Sequence, residues 1–324
     1  MKYRNMGKWG LKISEIAVGS WMTDLKDTAA CDIAEETINT AYEAGVNFFD
    51  CADAYSGGDA EKFLGKSLSK YTRPSYVLSS KVFFPTMPGP NGKGLSRKHI
   101  MESIDCSLER LGVDYLDLYF CHRYDPETPL EETIQAMSDL VDAGKILYWG
   151  VSEWSPTQLT RATEMIRTMN LRPMSVIQPQ YNMVDRYIED EIVEICAREG
   201  MGIVPFSPLS QGLLTGKYRK GHPIPEGSRA TWQSDKQINA LLTNQNLNKV
   251  EELISVADEL GCSLPQVALA WALRLPQITS LIVGASKPSQ LETNLGALDV
   301  ELTDTALREI EEILDYQPFH RSIG

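Results

Sequence analysis

The feature that most constrains the fold is a repeated alternation of short apolar runs with helical patterns. Eight such runs, rich in Val, Ile, Leu and aromatic residues, are nearly continuous in hydrophobicity, as expected of strands buried on both faces. They span residues 15–21, 46–50, 76–81, 115–121, 146–152, 175–180, 203–208 and 280–285. Eight strand–helix units in one chain predict an α/β protein with a closed (β/α)₈ barrel, the TIM-barrel fold.

The segments between the runs have the spacing of amphipathic helices. Residues 129–145 carry apolar side chains three or four positions apart, which places them on one helical face. Ser155 and Pro156 form a helix start, an N-capping hydroxyl followed by proline at the first helical position. An open, doubly wound sheet is the alternative architecture, but no Gly-x-Gly-x-x-Gly turn follows the first run.

Several stretches lie outside the repeat. Residues 1–13 have the pattern of a small hairpin that would plug the floor of the barrel, and residues 210–246 form a long insertion rich in Gly, Pro and Lys. Long loops in compact domains are usually functional. Two added helices are predicted at residues 247–260 and 303–314. No linker or low-complexity tract divides the chain, so a single domain over residues 1–324 is expected.

Composition argues against several classes of function. The chain has 31 Lys and Arg against 44 Asp and Glu, and its net charge of −13 argues against non-specific binding to nucleic acid or an anionic membrane. No apolar run of about eighteen residues predicts a membrane span, and the start of the chain lacks a secretory core. The six cysteines are scattered without a Cys-x-x-Cys motif, so a reducing, cytoplasmic location is expected.

Polar and aromatic side chains gather at the C-terminal ends of the predicted strands. In a (β/α)₈ barrel these ends share one rim, where such folds place their active sites. The residues at this rim are Ser20, Trp21, Asp50, Tyr55, Lys81, His122, Ser152, Gln178, Phe206, Ser207, Pro208, Leu209, Gly284 and Ser286. Each alone has an ordinary structural explanation, such as a cap, a solvated charge or a packing contact. Their convergence on one rim predicts a site.

Four of these residues have a recognisable chemistry together. A tyrosine has a pKa near 10 and is a weak proton donor unless a nearby positive charge stabilises its anion. Tyr55 would donate the proton, and Lys81 would lower its pKa. Asp50 would hold the ammonium group, and His122 would orient a substrate oxygen.

Carbonyl reduction at such a site needs a hydride, which no protein side chain delivers, so a nicotinamide cofactor is predicted. A metal-dependent barrel hydrolase is a further alternative. It is disfavoured, and no metal is predicted, because the four histidines are not spaced as a ligand set. They are His99, His122, His222 and His320.

The whole chain resembles a known family. The string DCADAY at residues 50–55, followed by Glu61 and the pair LG at 64–65, resembles the signature of the aldo-keto reductases, and Lys81 and His122 complete a similar tetrad. Further segments are most similar to the branch of potassium-channel β subunits and their bacterial and plant relatives. These segments are GLSRKHI, SLERLGVDYLDL, PLEETIQAMSDLVDAGK, YWGVSEWS, FSPLSQGLLTGKY and GCSLPQVALAWALR.

The resemblance implies an NADPH-dependent (NADP⁺-linked) oxidoreductase whose catalytic residues are Asp50, Tyr55, Lys81 and His122. Ser152 and Gln178 would bind the nicotinamide carboxamide, and Phe206 would stack on the ring. The cofactor-binding residues expected in all are Ser20, Trp21, Asp50, Ser152, Gln178, Phe206, Ser207, Pro208, Leu209, Gly212, Lys217, Arg229, Gly284, Ser286, Gln290 and Asn294.

Preference for NADPH over NADH is expected from Lys217 and Arg229 in the insertion. A 2′-phosphate needs charge-assisted donors, and these residues belong to a basic cluster in an otherwise acidic protein. Two positions depart from the family pattern. Glu153 stands where many members have Asn or Arg, so it is assigned no cofactor contact. Gln290 stands where some branches have an arginine for the 2′-phosphate, which weakens that source of preference.

Two functions stay open on the sequence alone. The first is an NADPH-dependent reductase of small aldehydes or ketones, and the second is a cofactor-sensing regulatory β subunit of a potassium channel. His122 favours the enzyme, because animal channel subunits of this branch tend to carry Asn there. The branch also implies a homo-oligomer, a tetramer or larger. Arg123 and Arg229 are candidates for an anionic substrate group, and the candidates for the pocket wall are Trp21, Phe83, Phe84 and Trp232.

Overall fold

Ten strands are found in the computed structural model, which describes residues 1–20, 25, 27–232 and 236–318. They are β1 Tyr3–Asn5, β2 Lys12–Ser14, β3 Ile16–Gly19, β4 Phe48–Asp50, β5 Val77–Val82, β6 Leu116–Cys121, β7 Ile146–Ser152, β8 Val176–Gln178, β9 Gly202–Ile203 and β10 Leu281–Val283. The strands from β3 to β10 coincide with the eight predicted runs, and β1 and β2 pair as the predicted antiparallel hairpin.

The strands from β3 to β10 form one parallel sheet that closes on itself. Bonded neighbours follow the order β10, β3, β4, β5, β6, β7, β8, β9. Two isolated parallel bridges, Ile203 to Ile278 and Phe206 to Ile282, join the two edges of this sheet. The N–H of Ile282 also donates to the carbonyl oxygen of Pro205 at 2.9 Å. The predicted (β/α)₈ barrel is confirmed.

Helices alternate with the barrel strands, and additional helices lie beyond them. In chain order the helices are α1 Thr28–Glu43, α2 Asp59–Leu68, α3 Arg97–Leu111, α4 Leu130–Asp142, α5 Pro156–Thr168, α6 Ile192–Glu199, α7 Lys236–Leu241, α8 Asn244–Glu259, α9 Leu264–Leu273, α10 Pro288–Leu295 and α11 Asp304–Leu314. α8 and α11 are the two predicted added helices. Ser155 caps α5 as predicted, and its hydroxyl accepts from the N–H of Gln158.

Two parts of the chain differ from the prediction. β9 is only two residues long, although the sequence predicts a strand over residues 203–208. Pro205 and Pro208 lack an N–H and interrupt the ladder, so the run continues only as the bridges at Phe206. The insertion, predicted as a loop, contains α7 and 3₁₀ turns at Ser210–Thr215 and Arg229–Thr231.

The hairpin of β1 and β2 closes the N-terminal end of the barrel. Met6 in its turn and Ile13 on β2 are fully buried. They pack in one cluster with interior side chains near the beginnings of the barrel strands, among them Phe48 and Val77. The predicted position of the hairpin at the barrel floor is therefore confirmed.

A second and larger apolar cluster fills the space between the strands and the surrounding helices. Within the described residues no single helix is long and apolar enough to cross a membrane. The pair α8 and α9 reaches that length and composition only when taken together across a bend of 89°.

Replacing Gly65 in α2 by alanine is expected to destabilise the protein, although alanine would stabilise an isolated helix. A Cβ at Gly65 would lie 2.3 Å from the carbonyl oxygen of Leu111, the last residue of α3. Alanine is about 1 kcal/mol better than glycine inside a helix, but forcing atoms into a packed contact typically costs about 1–3 kcal/mol. Because the obstructing atom is backbone and cannot rotate away, the cost should be about 2–3 kcal/mol, so Gly65→Ala should lower the free energy of unfolding by about 1–2 kcal/mol after the helical gain is subtracted.

Urea denaturation measures this difference. Gly10→Ala is the control, since no heavy atom lies within 4 Å of the carbon it adds. A Gly65→Ala variant as stable as the parent would contradict the close approach of α2 to α3.

Candidate active site

Side-chain alternation carries four polar groups to the upper end of the barrel. Successive residues of a strand face opposite sides, and apolar interior side chains occupy β4, β5, β6 and β8 near their beginnings. Continuing this alternation places Asp50, Lys81 and Gln178 on the inner side at the C-terminal ends, with His122 directly after β6. All four side chains are buried. The fold thus brings three of the four predicted catalytic residues to one place.

Lys81 is fully buried and forms an ion pair with Asp50. Its Nζ donates to Oδ2 of Asp50 and to the backbone oxygen of Cys51, both at 2.6 Å. Oδ1 of Asp50 accepts from Oγ of Ser79 at 2.6 Å and from Nε2 of Gln178 at 3.0 Å. Burial acts to lower the pKa of Lys81, but Asp50 and other neighbours outweigh it, so the pKa is raised and the group stays charged.

Tyr55, the fourth predicted catalytic residue, stands on a tight turn between β4 and α2. Its N–H donates to the carbonyl oxygen of Ala52 at 3.1 Å. The 3₁₀ turn Tyr55–Gly58 includes Ser56 in the left-handed region, with φ of 49°. The ammonium group of Lys81 lies 5.1 Å from the centroid of the Tyr55 ring. The phenol, the ammonium and the carboxylate are therefore assembled in one cluster.

The pKa of the Tyr55 phenol differs from the sequence expectation. The largest effect is burial, which raises the pKa; Lys81 lowers it, and Asp50 raises it again. The predicted influence of Lys81 has the expected sign, but burial outweighs it and the net pKa is raised. At neutral pH the phenol is protonated, which is the form that can donate a proton.

His122 faces Tyr55 from the other side of the mouth. The two ring centroids are 5.8 Å apart, and the ring of Phe84 meets His122 edge-on at 4.9 Å. Burial, and then the positive charges of Lys81 and Arg123, hold the pKa of His122 well below its usual value. Nδ1 is buried and has no hydrogen-bond partner among the described residues. An uncharged imidazole can donate a hydrogen bond to a substrate oxygen without adding a positive charge.

The next group of predicted residues lines the mouth beside this cluster. Oγ of Ser152 donates to the backbone oxygen of Gln178 at 2.8 Å, and Nη1 of Arg123 lies 3.4 Å from the same hydroxyl. Oγ of Ser20 donates to the backbone oxygen of Asp50 at 3.1 Å. These contacts link the ends of β3 and β4 and the ends of β6, β7 and β8. The predicted nicotinamide-binding residues Ser152 and Gln178 and the predicted cofactor-binding residue Ser20 therefore lie beside the ion pair.

Glu153, which departs from the family pattern, is held by contacts to neighbouring loops. Its backbone is left-handed, with φ of 56°. Its Oε1 accepts from the N–H of Gln180 at 2.6 Å and from the hydroxyl of Tyr187 at 2.8 Å. The carboxylate is thus held by neighbouring loops.

The chain leaves the barrel after β9 through a run of left-handed residues. φ is 51° at Ser207, 57° at Gln211 and 100° at Gly212. Left-handed residues in a turn can direct N–H groups toward an anion; here the N–H groups of Ser210 and Gly212 donate to the carbonyl oxygens of Ser207 and Leu209 within the turn. A Cβ at Gly212 would lie 3.2 Å from Cε of Lys217, so glycine leaves room for that side chain. The predicted residues of this segment are Phe206, Ser207, Pro208, Leu209, Gly212 and Lys217.

The other predicted cofactor-binding residues in the described part of the chain lie in two segments, residues 284–294 and the insertion. Oε1 of Gln290 accepts from the N–H and the hydroxyl of Ser286, each at 2.9 Å, and both residues are exposed. Asn294 is buried on α10, and no heavy atom lies within 4 Å of a Cβ built at Gly284. Arg229 is half-buried in its 3₁₀ turn. Trp21 lies outside the described residues.

The described part of the chain holds no group of three or more His, Cys, Asp or Glu placed to bind a metal ion. The two cysteines beside the site are buried. Burial raises the pKa of Cys51 to about 12 and also raises that of Cys121, so neither is a ready nucleophile.

A second polar cluster, which the sequence analysis missed, lies behind the Tyr55 turn. We call Asp53, Glu61, Ser80, Arg110 and Tyr119 the outer acid cluster. Glu61 accepts from Oγ of Ser80 at 2.5 Å and from Nε of Arg110 at 2.6 Å. Both carboxylate oxygens of Asp53 and the hydroxyl of Tyr119 are buried without a hydrogen-bond partner in the described residues. The signal for this cluster is strand alternation, which points the neighbours of inward-facing residues outward.

The chain belongs to the aldo/keto reductase family, whose members are oxidoreductases. The model described as "Aldo/keto reductase family" matches residues 15–315. The match includes all the barrel strands and both added helices. The resemblance seen in the sequence is therefore confirmed.

Two similar proteins are plant proteins, both named "Probable voltage-gated potassium channel subunit beta". The protein from Arabidopsis thaliana is 41% identical over 329 residues, which cover 98% of this chain and 98% of the relative. The protein from Oryza sativa subsp. japonica is 40% identical over 329 residues, with 98% of each chain covered. The similarity to the channel β-subunit-like branch is confirmed.

Replacing Asp53 by Asn is expected to raise the free energy of unfolding increasingly as the pH rises above about 4. Burial, and then Glu61, raises the pKa of Asp53 to about 8, whereas an unfolded Asp titrates near 4. Between these values the folded protein binds more protons than the unfolded chain, so stability falls as the pH rises through this window. Asparagine has no proton to lose, and each pKa unit corresponds to about 1.4 kcal/mol.

Urea denaturation between pH 4 and pH 9 measures the effect. The Asp53→Asn variant should gain stability over the parent progressively above about pH 4. Asp59→Asn, at an exposed carboxylate paired with Lys62, is the control. A difference between Asp53→Asn and the parent that does not change with pH would show that Asp53 is ionised alike in both states.

Proposed function

We propose that this protein reduces aldehydes or ketones to alcohols with NADPH, and that Tyr55 donates the proton. The observation that carries the proposal is the buried cluster at the barrel mouth. A protonated phenol there faces both an ammonium group 5.1 Å from its ring centroid and an uncharged imidazole. Membership of an oxidoreductase family supports the reaction class.

The residues around the cluster fit a nicotinamide dinucleotide, which members of the family generally bind in its NADP(H) form. When bound, the cofactor would supply the hydride. Ser152 and Gln178 would hold the carboxamide, and Phe206 would stack on the ring. The segment after Phe206, with its left-handed residues, would lie along the pyrophosphate.

In this reaction Tyr55 would donate the proton, and Lys81 would stabilise the anion that remains. As the carbonyl carbon gains a hydride, its oxygen gains negative charge and takes the proton of the Tyr55 hydroxyl. The phenolate left behind is stabilised by the ammonium group of Lys81, which Asp50 holds in place at 2.6 Å. The phenolate then regains a proton from solvent. General acid catalysis of this type contributes about 10²- to 10⁴-fold in rate.

His122 would position the substrate oxygen. Its ring is held between Tyr55 and Phe84, and it is uncharged at neutral pH. A hydrogen bond from this imidazole polarises the carbonyl while leaving Tyr55 as the group that transfers the proton.

We propose small aldehydes as the preferred substrates, chiefly because of the family branch. Phe83 and Phe84 stand edge to face, with centroids 5.3 Å apart, and the guanidinium of Arg123 lies 5.6 Å from the Phe84 ring. These residues would form an aromatic wall with a positive charge beside it. On the same resemblance we propose a cytoplasmic enzyme that assembles as a homo-oligomer.

A regulatory function is the second candidate, and the names of the two plant relatives favour it. A subunit that senses the cofactor would bind NADPH and turn it over negligibly. A panel of aldehydes added to the protein with bound NADPH separates the two functions. Loss of NADPH fluorescence that depends on the aldehyde supports the reductase, and its absence across a broad panel would exclude it.

Tyr55→Phe should reduce the rate of aldehyde reduction by at least about a hundredfold, since it removes the proton donor. This corresponds to about 2.7 kcal/mol of transition-state stabilisation. Binding of NADPH should survive, because the phenol faces the carbonyl oxygen. Steady-state turnover and fluorescence titration with NADPH measure the two effects.

Tyr124→Phe is the matched control for this change, because Tyr124 follows His122 closely and packs edge-on against Trp154. It should retain most of the parent turnover. Activity of Tyr55→Phe within about threefold of the parent would mean that another group donates the proton.

NADPH should be preferred over NADH, and Lys217→Ala and Arg229→Ala should each weaken NADPH binding far more than NADH binding. The reason is that both side chains would donate charge-assisted hydrogen bonds to the 2′-phosphate. Dissociation constants for both cofactors measure this preference. Lys98→Ala, on the exposed side of α3, is the control. Equal catalytic efficiency with the two cofactors would contradict the preference.

A further inference from the structure

The Tyr55 turn is held to the barrel by few direct contacts. The N–H of Asp53 donates to the carbonyl oxygen of Lys81 at 3.3 Å, a long bond. Ser56 has a left-handed backbone that a non-glycine residue adopts at an energetic cost. The phenol packs against the apolar core and Lys81, and the turn that carries it also rests on the outer acid cluster.

Arg110 supports the far end of the turn. A Cβ at Gly58 would lie 2.9 Å from Cδ of Arg110, so glycine at this position lets the backbone rest on that side chain. Nε of Arg110 is bound to Glu61 at 2.6 Å. The turn and α2 are thereby tied to α3 through one guanidinium group.

The outer acid cluster contains two carboxylates and one guanidinium group. Glu61 takes the hydrogen bonds of both Arg110 and Ser80. The nearby ammonium of Lys81 is bound to Asp50. Asp53 is 1% exposed, and neither of its oxygens meets hydrogen-bond geometry with a described residue, although the nearby backbone N–H of Ala54 favours its ionised form. A buried carboxylate without a partner is far more costly than a buried carboxylic acid.

We infer that Asp53 is a positioning residue for Tyr55 that works as an uncharged acid, and that its ionisation displaces the Tyr55 turn and lowers turnover at alkaline pH. The loss of turnover rests on the proposed function, whereas the displacement of the turn does not. Asp53 lies two residues before Tyr55, so a backbone shift that brings the ionised carboxylate to solvent would also move the phenol.

The groups that face Asp53 from each neighbouring element agree with this inference. Glu61 on α2 opposes its ionisation, Arg110 on α3 and Lys81 on β5 favour it, and Tyr119 on β6 adds no charge because its own pKa is raised well above the usual value. Burial is the largest effect, and with these neighbours it gives Asp53 a pKa of about 8. The transition thus falls within reach of ordinary enzyme assays.

The first test is the pH profile of kcat with saturating NADPH and aldehyde between pH 6 and pH 10. In the parent, kcat should fall at least about fivefold as Asp53 ionises. In Asp53→Asn the ratio of kcat at pH 9 to kcat at pH 7 should rise at least about threefold over the parent ratio. Asp59→Asn, the exposed control on α2, should retain the parent profile. Superimposed profiles for the parent and Asp53→Asn would overturn the inference.

The second test measures hydrogen exchange in the Tyr55 turn and does not require catalysis. Hydrogen exchange of the peptide that covers residues 52–64, corrected for the intrinsic pH dependence, should accelerate between pH 7 and pH 9 in the parent and not in Asp53→Asn. A peptide from α5 should behave alike in both proteins. Equal exchange in the two proteins across this range would overturn the inference, even if the protein proves to have no reductase activity. Conversely, a parent without turnover that still shows the Asp53-dependent exchange would refute the proposed function alone.

Discussion

The buried ion pair between Lys81 and Asp50 is the interaction on which the rest of the site depends. Removing a charged pair from water costs several kcal/mol per ion, and such pairs are often no more stabilising than apolar side chains. Here the pair is satisfied by groups from three strands, with Ser79 and Gln178 binding the carboxylate and the carbonyl of Cys51 binding the ammonium. A pair so fully bonded at the open end of a barrel is better explained by the charge it presents to Tyr55 than by stability.

The side chains of β5 bind different carboxylates on the two sides of the strand. On β5, Ser79 and Lys81 face the barrel interior and bind Asp50, whereas Ser80 between them faces outward and binds Glu61. The turn that carries Tyr55 lies across both sides, with the ion pair in front of it and the outer acid cluster behind it. One strand therefore sets the electrostatics of the phenol and supports the loop that holds it.

The fold and three residues of the cluster could be predicted because both follow from alternation along parallel strands, whereas Tyr55 was predicted from its place just after a strand end and from the family resemblance. A two-residue period and a common rim are enough to bring Asp50, Lys81 and His122 together. The length of β9 could not be predicted so simply, since the apolar run continues through Pro205 and Pro208 while the ladder does not. The outer acid cluster was missed because Asp53 and Glu61 have functional meaning only once their burial and their position beside Arg110 are known. The sign of the Tyr55 pKa shift was missed for the same reason, since burial has no local sequence signal.

The raised pKa of Tyr55 has a consequence for the direction of the proposed reaction. Reduction begins with the phenol protonated, which is its stable form in this environment, and the ammonium of Lys81 stabilises the phenolate only while the proton is away. Oxidation of an alcohol would have to begin with the phenolate, the form that burial disfavours. The same burial that makes the phenol a weaker acid therefore keeps it protonated at the start of each turnover in the direction of reduction. An uncharged His122 fits this assignment, because a charged imidazole would compete with Tyr55 as the proton donor.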